Sequence, residues 1–194
     1  MMTKIKKQAG LTLIEMMIAM LIGLLVTGSI ISVFISNVKS SSENVRMIQL
    51  NQELRTVMTF ISDEIKRSGY SADPTIITFI DDFNTATANC VLYSYDVNGN
   101  GVQTTNEKFG FRLNGDTIEW GSNVACGANA NWQDLTEVNI ADISAFTIVP
   151  SNIPAGGIFI KQLVITITGD TTLFPGTASR TVTETIRVRN EDAS

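Results

Sequence analysis

The segment 96–107, DVNGNGVQTTNE, carries oxygen atoms at the spacing of a calcium-binding loop. It fits the template D-x-[DN]-x-[DN]-G-x5-E at every specified position. Calcium prefers about six to eight oxygen ligands, and Gly101 at the sixth position of the loop permits the turn that directs them inward. The sequence therefore predicts a Ca²⁺ site with side-chain ligands Asp96, Asn98, Asn100 and Glu107 and the carbonyl of Val102.

The same segment has a second interpretation. Its flanks, VLYSY before and KFGFRL after, are typical of strands, whereas a calcium loop of this pattern usually lies between two helices. Asn and Gly also supply the backbone conformations of polar hairpin turns. A polar hairpin connection without an ion is therefore the alternative.

Cys90 and Cys126 are the two cysteines of the chain. Both follow the apolar N-terminal run discussed below and are predicted to lie on its exported side, where disulfides form and persist. A bond between them would close a loop of roughly 35 residues and add about 3 to 4 kcal/mol by restricting the unfolded chain. We predict this disulfide, with two unpaired thiols as the alternative.

Glu15 is the only charged residue between positions 11 and 38. The uncharged run 16–38, at about 1.5 Å per residue, is long enough to cross a hydrocarbon core of about 30 Å. An ionised carboxylate near the edge of that core costs free energy, so Glu15 predicts a functional contact with a specific cation. A free α-amino group on a neighbouring subunit is such a cation.

Lys4, Lys6 and Lys7 precede the apolar run, and no basic residue lies inside it. Basic residues stay on the cytoplasmic side, so the rest of the chain is predicted to lie across the membrane. A secretory signal peptide would need a small-residue cleavage site after its apolar region, and the best candidate, 26–28, lies within the run. A plain signal anchor accounts for the lysines and the run but leaves Glu15 unexplained.

Histidine is absent, which removes the commonest general base and the commonest metal ligand. The acidic pairs 63–64 and 81–82 are interpreted as solvated charge, and Trp120 and Trp132 as packing residues. The formal net charge is −5, and the chain has no basic stripe for nucleic acid. We therefore predict neither an enzyme with a small-molecule substrate nor a nucleic-acid-binding protein.

The motif GLTLIEMMIAM, after a short lysine-rich tail, resembles the cleavage and methylation motif of type IV pilins and pseudopilins. In that family the leader ends in Gly, the mature chain begins with an apolar residue, and its fifth residue is Glu. Gly10, Leu11 and Glu15 occupy these positions. The resemblance implies that a prepilin peptidase cuts between Gly10 and Leu11 and methylates the new N-terminus. It also implies that Glu15 assists assembly with other pilins.

Apolar residues continue at helical spacing from Val45 to Ile65, with charged residues between them. Gly69 supplies a stop, so the helix is predicted to end near Ser68. Strands are predicted at 76–80, 90–95, 108–113, 117–120, 143–149, 159–168 and 180–189, with Asn-Gly pairs, Pro150, Pro154 and Pro175 as turns. The predicted fold class is α+β. It looks like the pilin "lollipop", in which a membrane-spanning upper half-helix continues into a lower half packed on an antiparallel sheet.

The predicted organisation is a leader at 1–10, a transmembrane or filament-core helix at 11–38, its amphipathic continuation at 39–69 and an extracytoplasmic β-rich head domain at 70–194. The segments SDEIKRSGYSAD, VLYSYDVNGNG and TETIRVRN resemble the PilW group of minor pilins. That resemblance implies a structural minor pilin, anchored once in the inner membrane with its head in the periplasm and later part of a pilus at the cell surface. The alternatives are a type II secretion pseudopilin of the GspJ kind and a membrane-anchored adhesion or calcium-binding module that forms no filament.

Overall fold

Helix α1 occupies Leu13–Arg67 in the computed structural model, which describes residues 10–73, 89–151, 153–155, 158–160 and 162–188. The chain divides into two units, Met1–Asn44 and Val45–Ser194, and α1 contributes residues to both. The observed end of α1 agrees with the end predicted near Ser68. The strand predicted at 76–80 lies outside the described residues.

In the first unit, α1 is apolar and exposed. Every residue from 11 to 42 is exposed, and the most apolar stretch of the helix has a mean hydropathy of 2.5 with none of it buried. Two of its hydroxyl groups are satisfied within the helix, since Thr27 donates to the Gly23 carbonyl at 2.8 Å and Ser29 to the Leu25 carbonyl at 2.9 Å. By length and composition this helix can cross a membrane without leaving those donors unpaired.

In the second unit, α1 is amphipathic. Its buried apolar side chains recur at spacings of three and four residues and are those of Leu50, Leu54, Val57, Met58, Ile61 and Ile65. Gln52 and Thr59 lie on the exposed face between them. The helix stops because Gly69 adopts a φ of 75° and donates its N–H to the Ser94 carbonyl at 2.9 Å, outside the helix.

The first sheet has four antiparallel strands in the order β1-β2-β3-β4. They are β1 (Cys90–Ser94), β2 (Lys108–Asn114), β3 (Thr117–Ser122) and β4 (Trp132–Asp134). The first three confirm predicted strands. β4 was not predicted, because three residues are too short to reveal an alternating pattern.

The second sheet has the order β5-β8-β9 and is also antiparallel. Its strands are β5 (Asp142–Pro150), β8 (Gln162–Leu173) and β9 (Gly176–Arg187), and a separate hairpin pairs β6 (Ile153–Ala155) with β7 (Ile158–Ile160). The single strand predicted at 159–168 is therefore wrong at both ends, because β7 ends at Ile160 and β8 runs on to Leu173. Pro154, predicted as a turn residue, lies in β6, while Pro175 does lie in the β8–β9 turn.

The hydrophobic core of the second unit joins the buried face of α1 to residues of both larger sheets. Phe111 on β2 is fully buried, stacks on Tyr93 at 5.5 Å between ring centroids and meets Phe60 of α1 edge-on at 5.9 Å. On β8, a Cβ at Gly169 would lie 3.0 Å from Leu54 Cδ2, so the missing side chain lets the helix lie close to the sheet. Each large buried apolar side chain contributes about 1.5–3 kcal/mol, so this contact fixes the helix on the sheets.

Candidate functional site

The peptide bond predicted to be cut joins Gly10 to Leu11, just before α1. Leu11 is 75% exposed, and a Cβ at Gly10 would meet no atom within 4 Å. Neither residue is part of the helix, which begins at Leu13. A non-helical, exposed segment is open to a peptidase, so the geometry is compatible with cleavage here.

Glu15 and Thr12 form hydrogen bonds with each other at the first turn of α1. The Thr12 N–H and the Thr12 hydroxyl each donate to Glu15 Oε2 at 2.9 Å. In return, the Glu15 N–H points to the Thr12 hydroxyl oxygen at 3.4 Å. This is a reciprocal capping box, in which Thr and a Glu three residues later satisfy the free amide groups of a helix start.

The capping box uses one of the two carboxylate oxygens of Glu15. Among the hydrogen bonds of the described residues, those to this side chain go to Oε2 and come from Thr12. Oε1 keeps its capacity to accept from a cation, and the surrounding side chains of Leu13, Met16 and Met17 are apolar and exposed. A capped carboxylate in apolar surroundings can therefore bind one more positive group without leaving its helix.

Cys90 and Cys126 form the predicted disulfide. Their Cα atoms lie 6.0 Å apart, within the usual range for this bond. Cys90 begins β1, and Cys126 lies in the connection between β3 and β4. The bond therefore ties a long connection to the edge of the first sheet.

The five predicted calcium ligands lie on the connection between β1 and β2, so the flanking strands are confirmed. Asp96 is buried, and its carboxylate accepts N–H groups from Gly99 at 2.7 Å, Gly101 at 2.9 Å and Ala72 at 3.1 Å. Gly99 and Gly101 have φ values of 74° and 70°, which fold the loop around that carboxylate. Asp96 thus holds its own loop together and fastens it to the segment that follows α1.

Glu107 likewise holds the other end of the loop by accepting hydrogen bonds from within it. Its Oε1 accepts the Val97 N–H at 3.0 Å, and its Oε2 accepts the N–H and the hydroxyl of Thr104 at 2.8 and 2.9 Å. Asn98 and Asn100 accept the N–H groups of Asn100 and Val102 at 2.9 and 2.8 Å. The side-chain oxygens predicted to bind calcium therefore accept backbone N–H groups.

Both carboxylates are held in their charged forms by these donors. Burial would raise the pKa of Asp96, but the N–H groups of Ala72, Gly101 and Gly99 outweigh it and bring the pKa below its usual value. At Glu107, burial likewise would raise the pKa, but the N–H and hydroxyl of Thr104 outweigh it, so the pKa is again below its usual value. Within the described residues no group of three or more His, Cys, Asp or Glu could hold a metal ion. Calcium binding stays a prediction, in which the ion would share these oxygens with the loop's own amides.

A buried polar cluster around Glu64 was not anticipated. The pair 63–64 was interpreted as solvated charge, but only Asp63 is exposed; the Glu64 carboxylate is buried and accepts the hydroxyls of Tyr93 at 3.2 Å and Tyr95 at 3.1 Å. Arg67 binds its other oxygen at 3.0 Å. Burial, then the Glu64 charge, raises the pKa of both tyrosines, so the phenols stay protonated donors. The only sequence signal was that Glu64 follows Ile61 by three residues and so falls on the buried face.

The tryptophans are packing residues, as predicted. Trp120 is half-buried, lies 5.8 Å from Phe60 between ring centroids and donates its indole N–H to the Tyr93 hydroxyl at 3.0 Å. Trp132 is half-buried under the Arg112 guanidinium, 4.5 Å from the ring centre. Neither presents an open aromatic platform to a ligand.

Comparison with known families gives two matches. Residues 43–188 match the model of the family described as prepilin peptidase-dependent protein B. Residues 5–31 match the prokaryotic N-terminal methylation motif, which includes Gly10, Leu11 and Glu15. Together the two matches extend over most of the chain.

Among solved structures, the chain is similar to a type IV-like pilin, TTHA1219, from Thermus thermophilus. The TM-score is 0.51 at 11% sequence identity, and the alignment covers 73% of this chain and 97% of that one. At this identity the likeness concerns the fold. No curated protein matches the chain in sequence.

Proposed function

The chain belongs to the prepilin peptidase-dependent protein B family and has a type IV pilin fold, and from this premise we propose that it is a minor pilin of a type IV pilus. One observation carries the proposal. Glu15, fifth residue after the Gly10–Leu11 bond, is a capped acid at the start of a helix whose apolar residues are exposed through position 42. Such a surface needs a bilayer or the helices of other subunits around it.

Processing is the first step of the proposed function. A prepilin peptidase would cut between Gly10 and Leu11 and methylate the amine of Leu11. Support comes from the methylation-motif match over residues 5–31 and from the exposed position of both residues. The new N-terminus would then lie one residue before Thr12, which caps the helix with Glu15.

Assembly is the second step. In the bilayer, an unpaired acid near the hydrocarbon costs up to about 3 kcal/mol on insertion scales. The Thr12 donors bind Glu15 Oε2, and the N-terminal amine of a neighbouring subunit would bind Oε1. Outside the bilayer, burial of the apolar face of 11–38 between helices supplies most of the association free energy. Glu15 therefore sets the register between subunits, and apolar contact holds them.

The head domain is proposed to lie in the periplasm before assembly and on the pilus surface afterwards. The lysines of the leader favour a cytoplasmic N-terminus, which puts residues 70–194 on the far side of the inner membrane. The Cys90–Cys126 disulfide supports an oxidising location. Other pilins are the proposed partners, through the N-terminal helix.

Within the pilin class, the segments SDEIKRSGYSAD, VLYSYDVNGNG and TETIRVRN favour a role like that of PilW minor pilins over a secretion pseudopilin. The two roles differ in where the mature subunit accumulates. A minor pilin is recovered with filaments sheared from the cell surface, whereas a pseudopilin stays with the envelope.

The deciding experiment is the intact mass and N-terminal sequence of the protein from its native membrane, with and without active prepilin peptidase. We expect a mature chain that starts at methylated Leu11 only when the peptidase is present. Mass spectrometry of sheared surface filaments from the same cells should then detect the mature chain. An intact Met1 in both strains would overturn the proposal in favour of an anchored module without a filament. A mature chain absent from filaments but needed for protein secretion would favour the pseudopilin.

A further inference from the structure

The connection 123–131, which carries Cys126, is fastened to the first sheet by contacts that do not involve the disulfide. Its Asn123 N–H donates to the Lys108 carbonyl at 2.7 Å, and its Ala128 N–H donates to the Ala125 carbonyl at 3.0 Å. Asn131 donates its side-chain amide to the Asn123 carbonyl at 3.1 Å, which closes the loop on itself. The loop therefore has a defined conformation of its own.

Two facing glycines make room for this loop. Gly110 on β2 and Gly121 on β3 are directly opposite each other in the strand register. A Cβ at Gly110 would lie 2.9 Å from Trp132 Cη2, and a Cβ at Gly121 would clash with the Asn131 carbonyl and the Val124 side chain. The loop and Trp132 therefore pack directly against the backbone of these two glycines.

Arg112 connects the loop to the strand that carries the other cysteine. In the β1–β2 register, Arg112 is the direct partner of Cys90. Its Nη1 donates to the Ala128 carbonyl at 2.7 Å and to the Cys126 carbonyl at 3.4 Å. One buried side chain thus lies opposite the first cysteine and holds the backbone of the second.

The guanidinium of Arg112 is itself held in place. Glu119 on β3 pairs with its Nε, and the Trp132 ring stacks at 4.5 Å. Trp132 also donates its indole N–H to the Ala128 carbonyl at 2.9 Å, the same oxygen that Arg112 binds. A planar group with several fixed donors, stacked and ion-paired, holds a defined orientation.

We propose that Arg112 is a positioning residue for the disulfide, which docks the loop 123–131 on the sheet and presents Cys126 to Cys90 before the bond forms. Cys126 is half-exposed in the docked loop and Cys90 is buried. An external disulfide oxidant therefore reacts first with Cys126. The Cys126 thiolate attacks the oxidant and releases one thiol, and the Cys90 thiolate then attacks the mixed disulfide and releases the second. The two protons and two electrons of the cysteines end on the two thiols of the reduced oxidant.

The rate and equilibrium of bond closure test the proposal in the full chain. The protein in detergent is reduced under native conditions, freed of reductant and exposed to oxidised glutathione. Free thiols are then trapped by alkylation at set times, and the intact mass of each sample shows the fraction of closed disulfide. The variant is Arg112→Lys, which keeps the charge but loses the planar guanidinium and its several fixed donors. The matched control is Arg187→Lys at an exposed position on β9. We expect closure about tenfold slower, and a protein-disulfide equilibrium about tenfold less favourable, in Arg112→Lys alone. Rates and equilibria within twofold of the unaltered protein would overturn the proposal.

A second measurement separates positioning from general stability. In a Cys90→Ser, Cys126→Ser chain, hydrogen exchange is followed at the Asn123 and Ala128 amides, with the amides of β8 as internal reference. We expect the loop amides to stay protected without the disulfide and to exchange about tenfold faster when Arg112→Lys is added, while β8 is unchanged. Loop amides that exchange as in an unfolded peptide although Arg112 is present would overturn the proposal. The protection of the loop amides in the Cys90→Ser, Cys126→Ser chain is measured with Arg112 in place, so this arm can overturn the proposal even if Arg112→Lys fails to fold.

Discussion

The hydroxyl of Tyr93 on β1 lies 3.2 Å from Glu64 Oε2 on α1, and both side chains are buried. The contact joins the last turns of the long helix to the first strand of the sheet. Tyr95 and Arg67 bind the same carboxylate. The helix is therefore held on the sheet by a polar contact of fixed geometry as well as by apolar packing.

Replacing Glu64 should destabilise the second unit. Glu64→Ala leaves two tyrosine hydroxyls without their acceptor in a buried site, and we expect a loss of about 2–4 kcal/mol. Thermal unfolding of the full chain in detergent, followed by circular dichroism, measures the loss. The control is Asp63→Ala, the adjacent exposed acid, for which a change within about 0.5 kcal/mol is expected. Equal effects of the two substitutions would contradict a special role for Glu64.

Replacing Glu15 should impair assembly and spare folding. Glu15→Ala removes the acid that would neutralise a neighbour's N-terminal amine, while the hydrophobic core is built from residues 50–188. We expect normal insertion and cleavage and at least about a tenfold drop in the subunit recovered from sheared filaments. Quantitative immunoblotting of membrane and filament fractions measures both. Glu43→Ala, an acid on the same helix beyond the apolar run, is the control. Unaltered recovery of the Glu15 variant in filaments would rule out the proposed role.

Stability should decrease in acid because of the loop 96–107. The pKa values of Asp96 and Glu107 are lowered on folding, so their contribution is present above the unfolded values of about 3.9 and 4.3. It is lost as the pH falls through the folded values. We expect the melting temperature to fall below about pH 5, less steeply in Asp96→Asn, whose amide does not titrate. The exposed Asp142→Asn serves as control, and identical pH profiles of the two variants would contradict this assignment.

Calcium binding by the loop 96–107 can be tested directly. If the template match reflects a site, millimolar calcium should release or absorb heat in isothermal titration and raise the melting temperature. The affinity is expected to be modest, because only Asp96 and Glu107 carry charge and both already accept backbone N–H groups. Magnesium and the Asp96→Asn variant are the controls. If millimolar calcium produces neither heat nor stabilisation, the segment is a hairpin connection without an ion.

The absence of a side chain at Gly121 should be necessary for full stability. Gly121→Ala places a Cβ against the Asn131 carbonyl, which belongs to the docked loop and cannot rotate away. We expect a loss of about 1–3 kcal/mol in the free energy of unfolding. Gly127→Ala is the matched control, since a Cβ there meets no atom within 4 Å. Comparable melting temperatures for the two variants would mean that the loop can move off the sheet at little cost.

Features that depend on residues close together along the chain were predictable from the sequence. The apolar run, the acid at Glu15 and the Gly10–Leu11 junction are local, and they predicted the prepilin-type methylation motif and the pilin-like class that the matches support. The end of α1 was predictable because Gly69 alone permits the positive φ that stops the helix. Most strands of the sheets were predictable from alternation and turn residues, since these signals also act over a few positions.

Which polar groups are buried, and what they bind, depends on how distant parts of the chain pack together. Glu64 resembles a solvated acid in the sequence, because its partners Tyr93 and Tyr95 are 29 and 31 positions away. Arg112 likewise finds the Ala128 carbonyl only after β2 and β3 have paired and the loop has returned over Gly110 and Gly121. Propensity and periodicity describe a chain over a few residues. A buried hydrogen bond depends on how distant segments meet, so its partners became known only from the fold.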